Sequence, residues 1–288
     1  MYAEFNYMAP GSKHELFEII GRYKEGKRIY AGGTDLLVLL RARKIDAKHL
    51  IDIKRIEEFG TITENDASIT IGSAVTMTEI HSDPSVKRWL PALAGAVNSV
   101  GSVPIRNKAT LAGNIQTASP AGDGMNAAWG LDANIVLTSE CGERVVPLTE
   151  YITAPRKTVI ADNEVIAKIV LPKREWTYQS FFKIGRRNAL AISILNGIVA
   201  IMLDDGGKVT DARISLGAVA PTAIRILEAE QALIGKKLSV ESADEICAIV
   251  QRSIKPISDI RASADYRRYM AGVSVKRQLL KCLEEQGL

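Results

Sequence analysis

The sequence has few cysteines and histidines, and this scarcity excludes several classes of metal and disulfide protein. Its three cysteines, Cys141, Cys247 and Cys282, lie far apart and form no CxxC pair. That spacing excludes a disulfide framework, a zinc ribbon and an iron–sulfur cluster held by the thiolates of this chain alone. The three histidines have no metal-ligand spacing either, so we expect no metal site in the chain.

Long apolar runs and an excess of one charge are also missing. The longest apolar stretch, residues 189–203, is interrupted by Ser193, Asn196 and Gly197, and it is shorter than the roughly 20 residues that span a bilayer. The first residues do not have the pattern of a signal peptide. The 37 basic and 33 acidic residues are spread along the chain, which argues against nucleic-acid binding. We therefore expect a cytoplasmic protein without a membrane span.

The 288 residues, 47% of them hydrophobic, predict two or three globular domains with sizeable cores. Residues 1–55 have alternating strand and helix patterns, and residues 173–288 have strands followed by helices, which is typical of an α+β domain. The predicted strands are 27–30, 49–53, 59–63, 68–72, 133–138, 144–146, 165–171, 181–184, 192–203 and 209–218. The predicted helices begin after Ser12 and cover 35–43, 84–100, 222–234, 242–253 and 263–285.

A glycine-rich turn follows the predicted strand 27–30. It reads Tyr30-Ala-Gly-Gly-Thr-Asp-Leu36 and leads into a helix. Successive backbone N–H groups in such a turn can bind an anion, since glycines let a phosphate approach without a Cβ in the way. The turn matches neither GxGxxG nor GxxxxGK[ST], so it is not a nicotinamide or P-loop fingerprint. The alternative is a tight turn with a helix cap.

A second segment, residues 102–123, is rich in small residues and is predicted as one long loop. Loops of that length in compact domains are usually functional or disordered. The segment contains Ile105-Arg-Asn-Lys-Ala-Thr-Leu-Ala-Gly-Asn-Ile115 and Thr117-Ala-Ser-Pro-Ala-Gly-Asp123. Its hydroxyls and small side chains suit close backbone contact with an extended polar ligand, and Asp123 can accept hydrogen bonds from ribose or ribityl hydroxyls. The alternative is an ordinary surface loop.

Taken together, these motifs resemble one family, the FAD-binding (medium) subunits of the molybdenum hydroxylases, such as bacterial xanthine dehydrogenases, carbon monoxide dehydrogenase and nicotinate and quinoline hydroxylases. AGGTDLL, IRNKATLAGN and TASPAGD occur in order, followed by FKIGRR, LGAVAPT and RASADYRR. The resemblance covers nearly the whole chain. It implies an α+β fold with a two-part FAD-binding domain of the vanillyl-alcohol-oxidase type, residues 1–55 and 56–172. A smaller C-terminal domain, residues 173–288, would contain a three-stranded meander and helices.

The resemblance also implies which residues bind FAD. The first loop would wrap the pyrophosphate, and the second would contact the pyrophosphate and ribityl region, with Gly101 approaching just upstream. Asp123 would bind near the sugar and phosphate, and Ile166 would lie on the adenine side. Lys183 resembles a lysine near the isoalloxazine carbonyls, where a positive charge would stabilise the anionic reduced flavin; its alternative is a solvated strand-edge lysine. Ile192 would pack against the ring or, alternatively, in the core. The full set is Ile29, Tyr30, Ala31, Gly32, Gly33, Thr34, Asp35, Leu36, Gly101, Thr110, Leu111, Ala112, Gly113, Asn114, Asp123, Ile166, Lys183 and Ile192.

Two positions depart from the pattern of the family. The usual double glycine of TxGGN is Ala112-Gly113 here, and alanine tolerates a positive φ poorly, so we expect a slightly different loop geometry. Many relatives carry an acidic residue where this chain has Ala191. This second departure puts the polar network beside the flavin in doubt.

The function implied by the resemblance is that of an FAD-carrying electron-transfer subunit of an oxidoreductase, with no catalytic acid or base of its own. A large molybdenum–pterin subunit would oxidise the substrate, which we expect to be a purine or another N-heterocycle. A small subunit with two [2Fe–2S] clusters would pass electrons to FAD, and an external acceptor such as NAD, oxygen or a quinone would receive them. We expect a dimer of heterotrimers.

Two alternatives remain open. One is a stand-alone FAD oxidoreductase of the vanillyl-alcohol-oxidase type, which would need its own substrate pocket and catalytic residues near the flavin. The other is a non-catalytic scaffold subunit that keeps the fold, which the alanines at positions 112 and 191 would support.

Overall fold

Three β-sheets, each with its own hydrophobic core, organise the chain in a computed structural model that describes residues 4–287. The family resemblance predicts this division into a two-part domain and a C-terminal domain. Within the described residues, no helix is both long and apolar enough to cross a membrane.

The first sheet is small and parallel, because its strands are joined through helices. Its strands β1 (Asn6–Met8), β2 (Lys27–Tyr30) and β3 (His49–Asp52) are arranged in the order β1-β3-β2. Helix α1 (Lys13–Arg22) begins where the Ser12 hydroxyl accepts a hydrogen bond from the Glu15 N–H, and it buries Leu16, Phe17 and Ile20. Helix α2 (Leu36–Arg41) connects β2 to β3. The first glycine loop therefore lies at the carboxyl end of β2, where ligands bind in open parallel sheets.

The second sheet is antiparallel, with the strand order β4-β5-β10-β6-β7, and a two-stranded β8–β9 ribbon lies outside it. Its core is continuous with a group of short helices. The strands are β4 (Ile62–Glu64), β5 (Ser68–Gly72), β6 (Asn134–Ser139), β7 (Gly142–Pro147), β8 (Ile152–Ala154), β9 (Lys157–Thr158) and β10 (Val165–Pro172). The helices are α3 (Met77–Ser82), α4 (Pro84–Trp89), α5 (Pro91–Asn98), α6 (Val103–Arg106), α7 (Leu111–Thr117), α8 (Asp123–Gly130) and α9 (Leu148–Tyr151).

The third sheet is an antiparallel meander whose strand β12 is buried on both faces over most of its length. Its strands are β11 (Tyr178–Ile184), β12 (Leu195–Leu203), β13 (Val209–Gly217) and β14 (Ile224–Arg225), in sequence order. The helices α10 (Leu227–Leu233), α11 (Val240–Ser253) and α12 (Ala264–Gln286) follow. On β12, Leu195 and Val199 point into the C-terminal core, whereas Ile198 packs into the core of the second sheet. Because successive side chains of β12 point to opposite faces, this strand contributes to both cores and so links the second sheet to the C-terminal part of the chain.

Several sequence predictions are wrong in detail, each for a local reason. Residues 102–123 form α6, α7 and the start of α8 rather than one loop. The Thr110 hydroxyl caps α7, whereas Ser102 and Gly122 occupy the N-cap positions of α6 and α8 without a side-chain cap hydrogen bond. The helix predicted over residues 84–100 is two helices, since Pro91 lacks the N–H that would continue the first.

The other differences concern where short elements begin and end. Residues 57–60 are a 3₁₀-helix, so the strand predicted over 59–63 begins only at Ile62. The strand predicted from residue 192 begins at Leu195. Of the helix predicted over 222–234, only Leu227–Leu233 is helical, because Ile224–Arg225 pairs with the edge of β13. The sequence analysis does not predict strands β1, β8, β9 and β14 or helices α3 and α9, since two to six residues carry too little periodicity.

The packing of α8 against the third sheet predicts that Gly130→Ala destabilises the fold. A Cβ at residue 130 would lie 2.6 Å from Ile198 Cδ1 and 2.6 Å from Ser215 Cβ, in a fully packed region. We expect the free energy of unfolding to fall by about 1–3 kcal/mol, measured by urea denaturation. Gly21→Ala, in helix α1 with nothing within 4 Å, is the control and should leave stability unchanged or raise it. Equal effects of the two substitutions would contradict this account of the packing.

Candidate functional site

The two glycine-containing segments, far apart in the sequence, touch each other in the structure. A Cβ at Gly32 would lie 2.1 Å from the backbone oxygen of Lys108, so only glycine allows this approach. The Thr117 hydroxyl donates a hydrogen bond to Asp35 Oδ2 at 3.0 Å, which links the two segments a second time. Gly33 has a φ of +69°, and the Tyr30 ring lies directly against it. Backbone sterics therefore fix the shape of the junction.

A cavity of about 990 Å³ lies at this junction. Most of the residues predicted to bind FAD line it, namely Ile29, Ala31, Gly32, Gly33, Thr34, Asp35, Leu36, Thr110, Ala112, Gly113, Asn114 and Ile166. The volume is at the upper end of what ligand pockets reach, which suits a large extended ligand. The structure brings these residues together; whether they contact FAD stays a prediction.

A buried carboxylate supports the first loop from behind. Lys54 Nζ donates to the Ala31 backbone oxygen at 3.0 Å, lies 2.6 Å from Asp52 Oδ2 and is 3.9 Å from the centre of the Tyr30 ring. The Tyr7 hydroxyl also donates to Asp52. Burial opposes ionisation of Asp52, but the hydrogen bonds from Lys54 and Tyr7 outweigh it, so its pKa lies below the usual value. The same bond raises the pKa of Tyr7 to about 12. Tyr30 is thus placed behind the loop rather than in the cavity.

Helix α7 shapes the second loop. Thr110 caps this helix, because its hydroxyl accepts a hydrogen bond from the Gly113 N–H at 3.0 Å. The side-chain oxygen of Asn114 accepts from the Met125 N–H at 2.9 Å and so holds the start of α8. Ala112 lies inside the helix and is not among the residues with positive φ, so the backbone at this position does not require a glycine. Leu111 is fully buried in the core and does not line the cavity.

The predicted residues Asp123 and Lys183 form a separate ion pair beside the cavity. Lys183 Nζ lies 2.6 Å from Asp123 Oδ2 and also donates to the Ser99 backbone oxygen at 3.0 Å. Ser99 precedes Val100, which lines the cavity. The contact predicted between Asp123 and the sugar hydroxyls stays a prediction, but its carboxylate already has protein partners. The alternative of a solvated lysine is wrong, since the Lys183 side chain is only 16% exposed.

The remaining predicted residues lie around this ion pair. Gly101 has a φ of +51°, and a Cβ there would meet the Ile105 side chain at 2.9 Å. Ile192 is 68% exposed, so it is not a core residue. Ala191 packs closely on Gly185, where an added Cβ would lie only 2.7 Å from its own.

Some residues that line the cavity were not found from the sequence. They include Val100, Ile105, Gln116 and Arg156. Arg156 has a φ of +61°, and its N–H donates to the Ala118 backbone oxygen at 3.0 Å, which holds the β8–β9 turn against the end of α7. Pro155 signals a turn here, but nothing local in the sequence indicates that the turn closes a cavity formed by distant segments.

The cavity has groups that can bind an extended ligand, and its charged lining includes Glu25, Asp35, Asp162 and Glu164 as well as Lys24, Lys27, Arg28 and Arg156. No histidine or cysteine lines the cavity, and the described part of the chain contains no group of three or more His, Cys, Asp or Glu that could hold a metal ion. Backbone N–H groups, the Thr34 and Thr110 side chains and apolar walls are suited to holding an extended anionic ligand.

Comparisons with known proteins agree with this geometry. The family model described as "FAD binding domain in molybdopterin dehydrogenase" matches residues 3–174, and "CO dehydrogenase flavoprotein C-terminal domain" matches residues 180–282. The chain is 30% identical to the nicotinate dehydrogenase FAD-subunit of Eubacterium barkeri, over 98% of this chain and 97% of that one. It is 31% identical to the carbon monoxide dehydrogenase medium chain of Hydrogenophaga pseudoflava, over 96% of each.

Solved structures extend the similarity to the whole fold. The carbon monoxide dehydrogenase of Hydrogenophaga pseudoflava matches with a TM-score of 0.92 at 31% identity, covering 99% of both chains. Quinoline 2-oxidoreductase from Pseudomonas putida 86 matches with a TM-score of 0.93 at 26% identity, also covering 99% of both chains.

The buried Asp52 predicts an acid-dependent loss of stability. Because its pKa is lowered in the folded state, the unfolded chain binds this proton more tightly, so Asp52 adds stability above about pH 4. That contribution is lost as the pH falls through the lowered pKa. The free energy of unfolding of Asp52→Asn should therefore approach that of the wild type as the pH falls, in urea titrations at several pH values. Asp66→Asn, in an exposed turn, is the control. A difference for Asp52→Asn that is independent of pH would contradict the assignment.

Proposed function

The chain belongs to the FAD-binding subunits of the molybdenum hydroxylase family, and from that membership we propose that it passes electrons through FAD from a partner subunit to an external acceptor. Proteins of this family are oxidoreductase subunits, and the FAD-binding domain spans the first two sheets. FAD, when bound, supplies a centre that exchanges both single electrons and electron pairs. The residues of the chain hold and orient it.

The observation that carries the proposal is the contact between the two glycine segments at the cavity. Gly32 lies against the Lys108 backbone with no space for a side chain, while Gly33 and Thr34 face the same cavity as Thr110 and Gly113. Gly33 and Thr34 offer backbone N–H groups, and Thr34 and Thr110 offer hydroxyls, at one place, as a pyrophosphate requires. We infer that the pyrophosphate of FAD lies between the two loops.

We infer a direction for the ligand from the residues that line the cavity. Val100 and Ile105 follow Ser99, which contacts the Lys183–Asp123 pair, whereas Ile160 and Ile166 lie just before and in strand β10. We assign the isoalloxazine to the Val100 end and the adenine to the Ile166 side. Lys183 would then lie close to the ring.

The proposed partners are a large subunit with a molybdenum–pterin centre and a small subunit with two [2Fe–2S] clusters. The names of the relatives describe an FAD-subunit and a medium chain, which supports an assembly of several chains. Two relatives are named for nicotinate and quinoline, which supports an N-heterocycle as the substrate, whereas others are named for carbon monoxide. The purine substrate, the dimer of heterotrimers and the cytoplasmic location remain predictions from the sequence.

The visible spectrum of the purified chain, with chromatography of the released cofactor, tests the binding part of the proposal. Bound FAD is the expected result. Bound FMN would contradict the assignment of the pyrophosphate, and no flavin after incubation with added FAD would favour the scaffold alternative. Reduction of the bound flavin by the partner subunits and substrate tests electron transfer. Substrate oxidation by this chain alone would instead favour the stand-alone oxidoreductase.

The close approach at Gly32 predicts that Gly32→Ala weakens FAD binding. The added Cβ would have to move the Lys108 backbone, which separates the two loops that share the pyrophosphate. We expect the dissociation constant for FAD to rise by about tenfold or more, the effect of losing one or two hydrogen bonds to a charged group, measured by fluorescence titration of the apoprotein. Gly21→Ala is the matched control, because it makes the same change outside the cavity. Unchanged FAD affinity in Gly32→Ala would rule out this position for the pyrophosphate.

A further inference from the structure

Asp123 is a buried carboxylate that already has several hydrogen-bond donors within the protein. It is 5% exposed. Its Oδ1 accepts from Ser193 Oγ and Asn196 Nδ2, each at 2.6 Å, and its Oδ2 accepts from Lys183 Nζ at 2.6 Å. Ser99 Oγ lies 3.2 Å from the same Oδ2, but its one proton has a nearer acceptor in the Ala96 backbone oxygen, at 2.7 Å. Three of the about four lone-pair positions of the carboxylate are therefore used by side chains of the protein.

Lys183 is held by this carboxylate and by one backbone group. Its ammonium group donates one hydrogen bond to Asp123 and one to the Ser99 backbone oxygen. Within residues 4–287 it has no other hydrogen-bond partner. A salt bridge with both partners buried is costly to break on one side only, because the remaining charge is left unpaired. The position of Lys183 and the net charge of the pair therefore both depend on Asp123.

The pair is connected to the wall of the cavity through Ser99. Ser99, which touches both members of the pair, is bonded to Val100 in the cavity wall, and Ser193 adjoins the exposed Ile192. Ser99 and Asp123 come from the second domain, whereas Lys183 and Ser193 come from the third. The ion pair thus holds strand β11 of the third sheet close to Val100, the part of the cavity wall to which we assign the isoalloxazine.

We propose that Asp123 is a positioning residue that holds Lys183 at the flavin and offsets its charge, so that the neutral pair sets the relative affinity of the site for reduced and oxidised FAD. This inference rests on the proposed function, because it requires FAD in the cavity with its ring at the Val100 end. It assigns Asp123 a role different from that of a ligand for the sugar hydroxyls.

The charges of the pair give two substitutions opposite effects. Reduced FAD carries more negative charge than oxidised FAD, so an uncompensated positive charge favours it and an uncompensated negative charge disfavours it. Asp123→Asn leaves Lys183 unbalanced and should make reduced FAD bind relatively more tightly. Lys183→Met leaves a buried carboxylate unbalanced and should have the reverse effect. We expect a change of about tenfold or more in each direction, which for a two-electron couple is about 30 mV per factor of ten.

The test measures the reduction potential of the bound flavin and the dissociation constant of oxidised FAD for the full chain and its variants. The expected result is a higher potential for Asp123→Asn and a lower one for Lys183→Met. If Lys183→Met fails to fold, the double variant with both substitutions replaces it. The double variant should return toward the wild-type potential, since it removes both charges. Asp132→Asn is the matched control, because Asp132 pairs with Arg174, Arg213 and Arg225 at the same domain boundary but does not line the cavity.

The outcomes separate this inference from the proposed function. A wild-type chain that binds no FAD would overturn both. Bound FAD with shifts of the same sign, or with no shift, would overturn only the inference. Weaker binding of oxidised FAD by Asp123→Asn with an unchanged potential would also overturn it and would support a direct contact between Asp123 and the sugar hydroxyls.

Discussion

The close contact between the backbone of Gly32 and the backbone of Lys108 is the constraint on which the site depends. It joins a turn at the edge of the parallel sheet to a segment of short helices that packs on the second sheet, and it leaves no volume for a side chain. Because the contact is between main chains, its geometry is set by sterics rather than by rotamers. The hydrogen bond from Thr117 to Asp35 links the same two segments at a second point. The cavity lies between the two segments.

Helix α8 makes the corresponding connection to the C-terminal domain. It begins at Asp123, whose carboxylate binds Lys183, and it is followed by Asp132, which pairs with three arginines. Between the two acids, Gly130 lets the helix approach Ile198 and Ser215 on the third sheet. The ion pairs of Asp123 and Asp132 and the close contact at Gly130 together fix how α8 is rotated and how far it lies from the third sheet. Such a rigid scaffold is what a binding site between domains requires.

The regular elements were predictable because their signals are local. The strands 68–72, 165–171 and 209–218 have clear apolar patterns, and the turn at residues 204–207 has a specific turn sequence, so their limits agree with the structure to within a residue or so. The glycine motifs indicated the two segments that line the cavity for the same reason.

The parts that could not be predicted depend on contacts between distant residues. The partners of Asp123 on the third domain lie 60, 70 and 73 residues away, so no pattern around the TASPAGD motif shows that its carboxylate is occupied. The role of Arg156 depends in the same way on where the β8–β9 turn meets α7. The short helices within residues 102–123 were missed because their caps, Ser102, Thr110 and Gly122, are also typical loop residues.

The division of the molecule into three cores has a consequence for how a bound cofactor enters and leaves. Of the three cores, that of the first sheet is the smallest. It includes Ala74, Val165 and Ala167, which belong to the part of the chain that forms the second sheet. Small cooperative units open locally at a lower free energy than the whole protein. One wall of the cavity belongs to this unit, so its transient opening would free a ligand without global unfolding. A ligand that contacts both glycine segments would in turn hold the unit closed, so hydrogen exchange in β2 and α2 would report cofactor residence.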